Sequence, residues 1–450
     1  MSVASQDVSL RLAEIVGGEN VLAERARVAE YAIGGMAPAT VARPSSGEEV
    51  AEILKFAAAE RLAVVPTGAR TKLGMFLPPR RYDVALDMSR QERLIAYDPG
   101  DLTLSVEAGM PLAKLAETLE QHGQFLPLDA PFFSRATVGG TISVGVDSPL
   151  RQMYGTARDY VLGMEFVTGE GTLAKSGGRV VKNVAGYDLH KLMIGALGTL
   201  GAITKIHFRT FPRPADVRGF AAIFEDAAGA LEMRRRIAES PLALMTLEIL
   251  SARAGEILAG ETFFPKHWTL VASFAGNESV LARQERELRR MAEECGARDT
   301  MALDEERAAS AMARVREFAA IILDASPAAV IVKMGVPPAR MKEILDAGAV
   351  AAETHGLAWA AMARGCGVIY FALLPGGRSE ESRTAVAAAG NRIIASCAAL
   401  GGNATVPWSP AEWKGALRVW GAERSDFDAM RSVKKVFDPQ GILSPGRFIG

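Results

Sequence analysis

The apolar positions of this chain change period repeatedly, and the changes mark its elements. A helical pattern spans residues 8–33, interrupted early by "GGEN"; residues 38–74 then read "PATVARPSSGEEVAEILKFAAAERLAVVPTGARTKLG". Here "ATVAR" predicts a short strand, and Ser45 or Ser46 can cap a helix that has Glu48 and Glu49 in its first turn. "VAEILKFAAAE" carries apolar residues at helical spacing, and "LAVVP" predicts a buried strand. This β-α-β unit closes on a glycine loop. A second round follows: "LTLSVEAG" alternates as a strand, Pro111 suits the first position of a helix, and "LAKLAETLEQHG" stops on glycine. "DYVLGMEFVTGEGTLAKSGGRVVKN" predicts two strands joined by a GEG turn.

After "FRTFPRPADVRGF" the texture changes. Strands such as "FAAIF" and "WTLVASF" alternate with long, charged, alanine-rich helices such as "VLARQERELRRMAEEC", which predicts an antiparallel sheet with helices on one face. The boundary falls at Pro212 to Pro214, giving a first domain over 1–213, a second over 214–405, and a C-terminal segment, 406–450, made of a helix and a Pro/Gly-rich tail. At 450 residues the chain exceeds what one core normally organises.

Charge narrows the partners. Lys and Arg number 51 and Asp and Glu 52, with no long run of one sign, which argues against a protein that works by neutralising nucleic-acid phosphates. The three cysteines, Cys295, Cys366 and Cys397, are far apart and read as reduced thiols, mostly buried. The N-terminus shows no basic stretch followed by an apolar one, and no window reads as a transmembrane segment, so the expectation is a soluble, cytoplasmic protein.

Three glycine-rich places can carry chemistry. "PTGARTKLG", residues 66–74, follows a strand and can turn successive backbone N–H groups toward one point, an anion nest suited to a diphosphate; Arg70 and Lys72 add positive charge there, or are solvated. "ATVGGTIS", residues 136–143, lets backbone approach a flat ring while Thr137, Thr141 and Ser143 offer hydroxyls. "GALGTLGAIT" sets Gly198, Gly201 and Ile203 where backbone comes close to something. A tight turn, a helix cap and close packing would explain each alone; together, in a domain without Rossmann order of helix and glycine loop, they point to one ligand.

These stretches, with "VVKNVAGYDL" and the closing "FDPQGILSPGRF", resemble the FAD-binding domain of the vanillyl-alcohol-oxidase superfamily, the p-cresol-methylhydroxylase (PCMH) type, and within it the FAD-binding subunit of bacterial glycolate oxidase. The resemblance is strong over 38–213, returns at 427–448 and is weak between. It implies an α+β fold: a PCMH-type FAD-binding domain of two α/β subdomains and a cap domain of antiparallel sheet and helices. It implies that Pro66, Thr67, Gly68, Ala69, Arg70 and Thr71 wrap the FAD diphosphate, that Thr137, Gly139, Gly140, Thr141, Ser143 and Gly145 lie along the flavin, and that Asp159, Gly201 and Ile203 stand near adenosine and ribitol. No histidine or cysteine occurs at 66–75 or 136–160, where some members tether FAD, so the expected FAD is noncovalent.

Second-domain histidines that bind metal and substrate in many catalytic members are missing: "THGLAWAAMARGCGVIYFALLPGG" holds His355 alone, and no metal site is expected. Arg364 is a candidate carboxylate clamp or a solvated arginine before a glycine turn, and Lys182 is either a positive charge beside the flavin or part of a structural ion pair. Trp408, Trp413 and Trp420 either close over the flavin or pack in the core. The resemblance therefore implies an FAD-dependent enzyme that oxidises a small 2-hydroxy acid, such as glycolate or D-lactate, and passes electrons to a partner protein or quinone. The alternative is a non-catalytic or electron-relay FAD-binding subunit of such a complex. Implied partners are a related flavoprotein subunit and an iron-sulfur subunit, through which the protein would sit at the inner face of the cell membrane.

Overall fold

The computed structural model describes residues 3–179, 186–259 and 266–449. In the first domain the β-α-β unit forms as its pattern predicts. Thr40–Ala42 and Val64–Thr67 flank Val84–Asp87 in a parallel arrangement, and Val21–Leu22 adds an antiparallel edge. The helix Gly47–Ala59 begins at Ser46, whose side chain accepts the Glu49 N–H, while the Glu49 carboxylate accepts from Ser45 N at 2.7 Å. That reciprocal arrangement satisfies two donors the helix end would otherwise leave free. Val50, Ile53, Leu54 and Ala57 face inward from it at helical spacing. The predicted helix over 8–33 is shorter in the structure: it ends at Val16, and only Arg25–Ala29 is helical beyond the "GGEN" break.

Five antiparallel strands make the second layer, in the order Leu94–Asp98, Thr103–Glu107, Ala202–Arg209, Val161–Val167, Leu173–Gly177. The short helix Val138–Val144 packs on its central strand. Pro111 sits one position outside its helix, at the N-cap of Leu112–Glu120.

The second domain is an eight-stranded sheet in which every pair is antiparallel, from Asp299–Leu303 at one edge to Asn403–Trp408 at the other. Helices cover both of its faces, not the one face the pattern predicts. Gly219 packs against Ala308 of the helix Glu305–Arg316, whereas Phe224, five residues along the same unbroken strand, packs against Gly229 of Ala227–Ala238. Residues of opposite parity face opposite sides of a sheet. The strands have no consistently polar face to give to water: all seven residues of Leu244–Leu250 are buried.

Two contacts lock the domains to each other. Glu317, between two helices of the second domain, accepts the Phe132 and Phe133 N–H groups at 2.6 and 3.1 Å, and the adjacent Arg316 pairs with Asp129 at 2.9 Å. The C-terminal segment returns to the first domain: Val64 donates to the Ile442 carbonyl, Ser444 donates to the Val64 carbonyl, and the buried Asp438 carboxylate accepts the N–H groups of Ile442 and Leu443. Glu317→Ala removes two charge-assisted hydrogen bonds and strands two N–H groups. It is expected to destabilise the joined domains by about 2–3 kcal/mol. A lowered urea midpoint checks this; an unchanged one would show that the strap carries no load. Among the described residues no helix is long and apolar enough to cross a membrane.

Candidate active site

A cleft holding about 710 Å³ of empty space, partly open to solvent, lies between the two layers of the first domain. Segments 66–73, 137–144 and 197–203 wall it, together with Met88, Ala108 and Arg447 of the C-terminal return. Strand Val64–Thr67 leads into a loop, residues 68–73, in which Arg70 takes a left-handed φ of 63°. Such a change of hand curls successive N–H groups toward one side, as a nest requires. The Gly68 position leaves no room for a side chain: a Cβ there would lie 2.3 Å from Thr137 Oγ1.

Opposite stands the helix Val138–Val144. Thr137 caps it, accepting the Gly140 N–H at 3.3 Å, and left-handed Gly145 ends it. Its first turn is bonded to the neighbouring strand end, Gly139 donating to the Ala108 carbonyl at 2.7 Å, and a Cβ on Gly139 would lie 2.6 Å from that of Ala108. Glycine is therefore needed for backbone to meet backbone here. The segment 194–203 closes the cleft, fixed by the Leu197 N–H on the Ser143 carbonyl.

The cleft is cationic. Arg70, Lys72 and Arg447 line it, and among the described residues no carboxylate does. Lys72 is buried with its ammonium 3.5 Å from Thr71 and Thr141 hydroxyls and over the Phe132 ring; burial brings its pKa down to about 8, with Glu317 at a distance working against that shift. Arg447 is 3 % exposed, donates to the carbonyls of Leu73 and Met75, and keeps a buried Nε without a partner; burial lowers it to about 10. Two buried cations without a paired carboxylate are costly, and an anion entering the cleft would offset that cost.

Of the residues singled out from sequence, Pro66, Thr67, Gly68, Ala69, Arg70, Thr71, Thr137, Gly139, Gly140, Ser143, Gly201 and Ile203 all line this cleft. Thr141 is buried behind it, in contact with Lys72. Gly145 lines a neighbouring cavity instead. Asp159 lines neither: its exposed carboxylate accepts from Thr156 N and Oγ1 in a capping box, a local structural role. Lys182 lies outside the described residues.

Arg364 does not reach the cleft. It is buried on the second-domain sheet with Nη1 2.5 Å from Glu248 Oε1, so one arm of the fork proposed for a substrate carboxylate is already held by a protein carboxylate. Burial pushes Glu248 up to about 7, the Arg364 guanidinium opposing that shift. Trp408 and Trp413 are core residues; Trp420 stacks on Phe76 with centroids 4.4 Å apart. His190 is buried against Ser176.

Residues 38–177 match the family described as "FAD binding domain", and residues 213–406 and 418–448 match "FAD linked oxidases, C-terminal domain". The chain belongs to the FAD-linked oxidases.

This FAD-linked oxidase is 25% identical to glycolate oxidase subunit GlcD of Bacillus subtilis, over 98% of its own length and 97% of that protein. It is 29% identical to a D-lactate dehydrogenase of Archaeoglobus fulgidus, 91% of each chain being covered. Over 130 residues, 29% of this chain and 37% of the other, it is 42% identical to glycolate oxidase subunit GlcE of Escherichia coli. The solved structure of p-cresol methylhydroxylase superposes with a TM-score of 0.79 at 17% identity, covering 99% of this chain and 97% of that one, which shows the PCMH-type fold expected from the sequence.

FAD is the cofactor of the family, and the cleft fits it: glycine walls for close backbone approach, hydroxyls and small side chains along the helix, and cations awaiting a diphosphate. Bound there, FAD supplies the two-electron redox chemistry. Arg447 was not singled out from sequence, and Lys72 was read there only as a charge beside the nest or a solvated one. Lys72 follows the nest directly, but nothing in the sequence shows that it is buried, and Arg447 arrives from the far end of the chain.

Proposed function

We propose that this FAD-linked oxidase binds FAD noncovalently in the cationic cleft and oxidises a small 2-hydroxy acid at its α-carbon, passing the electrons to a partner protein or quinone. The observation that supports this best is the likeness, along nearly the whole chain, to proteins named as a glycolate oxidase subunit and a D-lactate dehydrogenase. In this reading residues 66–71 hold the diphosphate, Lys72 and Arg447 balance its charge, and Thr137 to Ser143 lie along the flavin. Lys182 remains a proposed flavin-side cation.

A second reading has a specific observation in its favour: over 130 residues, 29% of this chain, the sequence is 42% identical to subunit GlcE. There the chain is a companion subunit, and a related flavoprotein subunit with an iron-sulfur subunit completes the complex at the inner membrane face.

One experiment separates them. The purified, FAD-loaded protein is mixed anaerobically with excess glycolate or D-lactate while the visible flavin absorbance is followed. Rapid bleaching is expected. A flavin that stays oxidised until a partner subunit is added supports the companion role, and protein that takes up no FAD overturns both.

A further inference from the structure

The loop that walls the FAD cleft runs on into the second domain. Residues 68–73 line the cleft, whereas Met75 and Phe76 are buried in the hydrophobic core of the second domain. Two turns join these halves: Leu73 donates to the Arg70 carbonyl at 3.3 Å, and Met75 donates to the Lys72 carbonyl at 3.1 Å. Whatever fixes residues 73–76 therefore fixes the end of the nest.

A pair of buried cations does so. Arg447 donates to the carbonyls of Leu73 and Met75 at 2.9 and 3.1 Å, and Lys414 donates to those of Gly74, at 2.6 Å, and Phe76. Four successive carbonyls thus each accept from a cationic side chain. Lys414 stands on the short helix Ala411–Ala416, is 4 % exposed, and pairs with no carboxylate among the described residues. A buried ammonium has to be satisfied, and here the loop carbonyls satisfy it. Lys414 does not line the cleft.

The backbone shows how much depends on this hold. Phe76 has a left-handed φ of 57°, which a bulky residue keeps only when its surroundings enforce it. Three enforcing contacts come from residues 407–420: Phe76 donates to the Pro407 carbonyl at 2.9 Å, accepts from Lys414, and stacks on Trp420. The nest itself has no comparable anchors, since the N–H groups of Gly68, Ala69, Arg70 and Thr71 donate to no described residue. Their direction depends on the clamp behind them. Residues 407–417 fall between the two stretches that match the FAD-linked oxidases, so the family likeness assigns Lys414 no role.

We infer that Lys414 is a positioning residue for the cofactor: without touching FAD, it fixes with Arg447 the loop whose N–H groups receive the diphosphate, so that FAD binding and the seating of residues 411–417 on that loop are one coupled equilibrium. The inference rests on the proposed placement of the diphosphate at residues 66–71. Coupling of this kind is reciprocal: a seated helix that favours FAD must itself be held more firmly once FAD is bound.

The test has two arms, both on the full-length protein. Lys414→Met apoprotein, titrated with FAD and followed by quenching of flavin fluorescence, is expected to bind at least about tenfold more weakly than the unaltered protein. In the unaltered protein, saturating FAD is expected to slow amide exchange of Trp413 and Leu417, whose N–H groups are bonded to the Pro410 and Lys414 carbonyls. The slowing should exceed that of the strand Val368–Leu374 in the same domain at least about threefold, and Lys414→Met should remove the difference. A strut that merely joins the domains would not produce the selective slowing. The inference is overturned if the variant binds FAD as tightly as the unaltered protein, or if FAD slows exchange in helix and strand alike. Should Lys414→Met not fold, the exchange arm on the unaltered protein decides. The proposed function fails separately, when glycolate and D-lactate leave a bound flavin oxidised, an outcome that alters neither the FAD titration nor the exchange pattern.

Discussion

Gly68→Val is expected to give a folded protein that purifies without FAD. The position joins the nest loop to the flavin-side helix: a Cβ would sit 2.3 Å from Thr137 Oγ1 and 3.2 Å from its methyl group, and valine adds two more carbons. Thr137 cannot simply turn aside, because its hydroxyl caps the helix Val138–Val144 through the Gly140 N–H. Either the cap is lost or the loop moves outward, and both change the width of the cleft. The core of the domain lies elsewhere, on the sheets, so the fold survives. A misplacement of about 1 Å across a diphosphate nest removes several charge-assisted hydrogen bonds together, so FAD affinity should fall at least about 100-fold, near 2.7 kcal/mol. Flavin released by denaturation, measured per mole of protein, reads the result. A Gly68→Val protein that retains a full complement of FAD would mean that the nest does not hold the cofactor.

The second large effect concerns Lys72 and pH. Without ligand, burial holds its pKa at about 8, below the ordinary 10.5. An arriving diphosphate favours the charged form and raises that pKa, so binding is coupled to proton uptake. FAD affinity should therefore be fully present below pH 8 and fall as pH rises above it, by up to about tenfold per unit until the pKa of the complex is reached. The stability of the FAD-free protein has the opposite sign. Between about pH 8 and 10.5 the unfolded chain holds a proton on Lys72 that the folded one has released, so this group makes the folded state more stable as pH rises. Lys72→Met should lower affinity about 10- to 100-fold at pH 7 and flatten its decline above pH 8. Titrations of apoprotein with FAD, followed by quenching of flavin fluorescence from pH 6.5 to 9.5, test both parts. An unaltered pH profile in the variant would place the titrating group elsewhere.

How far the sequence carries can be judged from particular residues. The helix Gly47–Ala59 was legible from end to end because its cap, acidic first turn and apolar stripe are local features within 13 residues. The glycine-rich stretches were legible as places of close approach for a related reason: glycine marks places where backbone must approach closely, and three such places occur in one domain; all three line one cleft. The helices on both sides of the second sheet were not foreseen. A strand buried on both faces shows no alternation to read, so its pattern does not say how many layers cover it.

Charged residues were the least legible. Arg364 and Lys333 are both single basic residues in apolar strands, and nothing adjacent in sequence separates them. Strand register gives Arg364 a carboxylate directly opposite, Glu248, and gives Lys333 a tyrosine, leaving its ammonium at the cavity that Gly145 lines. Arg447 reaches the cleft only because Asp438 and the Val64 strand edge hold the C-terminal return. The sequence by itself determined the local units, the α+β class and the FAD-binding motifs, since propensity, capping and glycine spacing act over a few residues. Only the tertiary structure decided which buried cations are paired and which face a cavity, because electrostatic partnership depends on distances between segments hundreds of residues apart, and sequence spacing does not encode those distances.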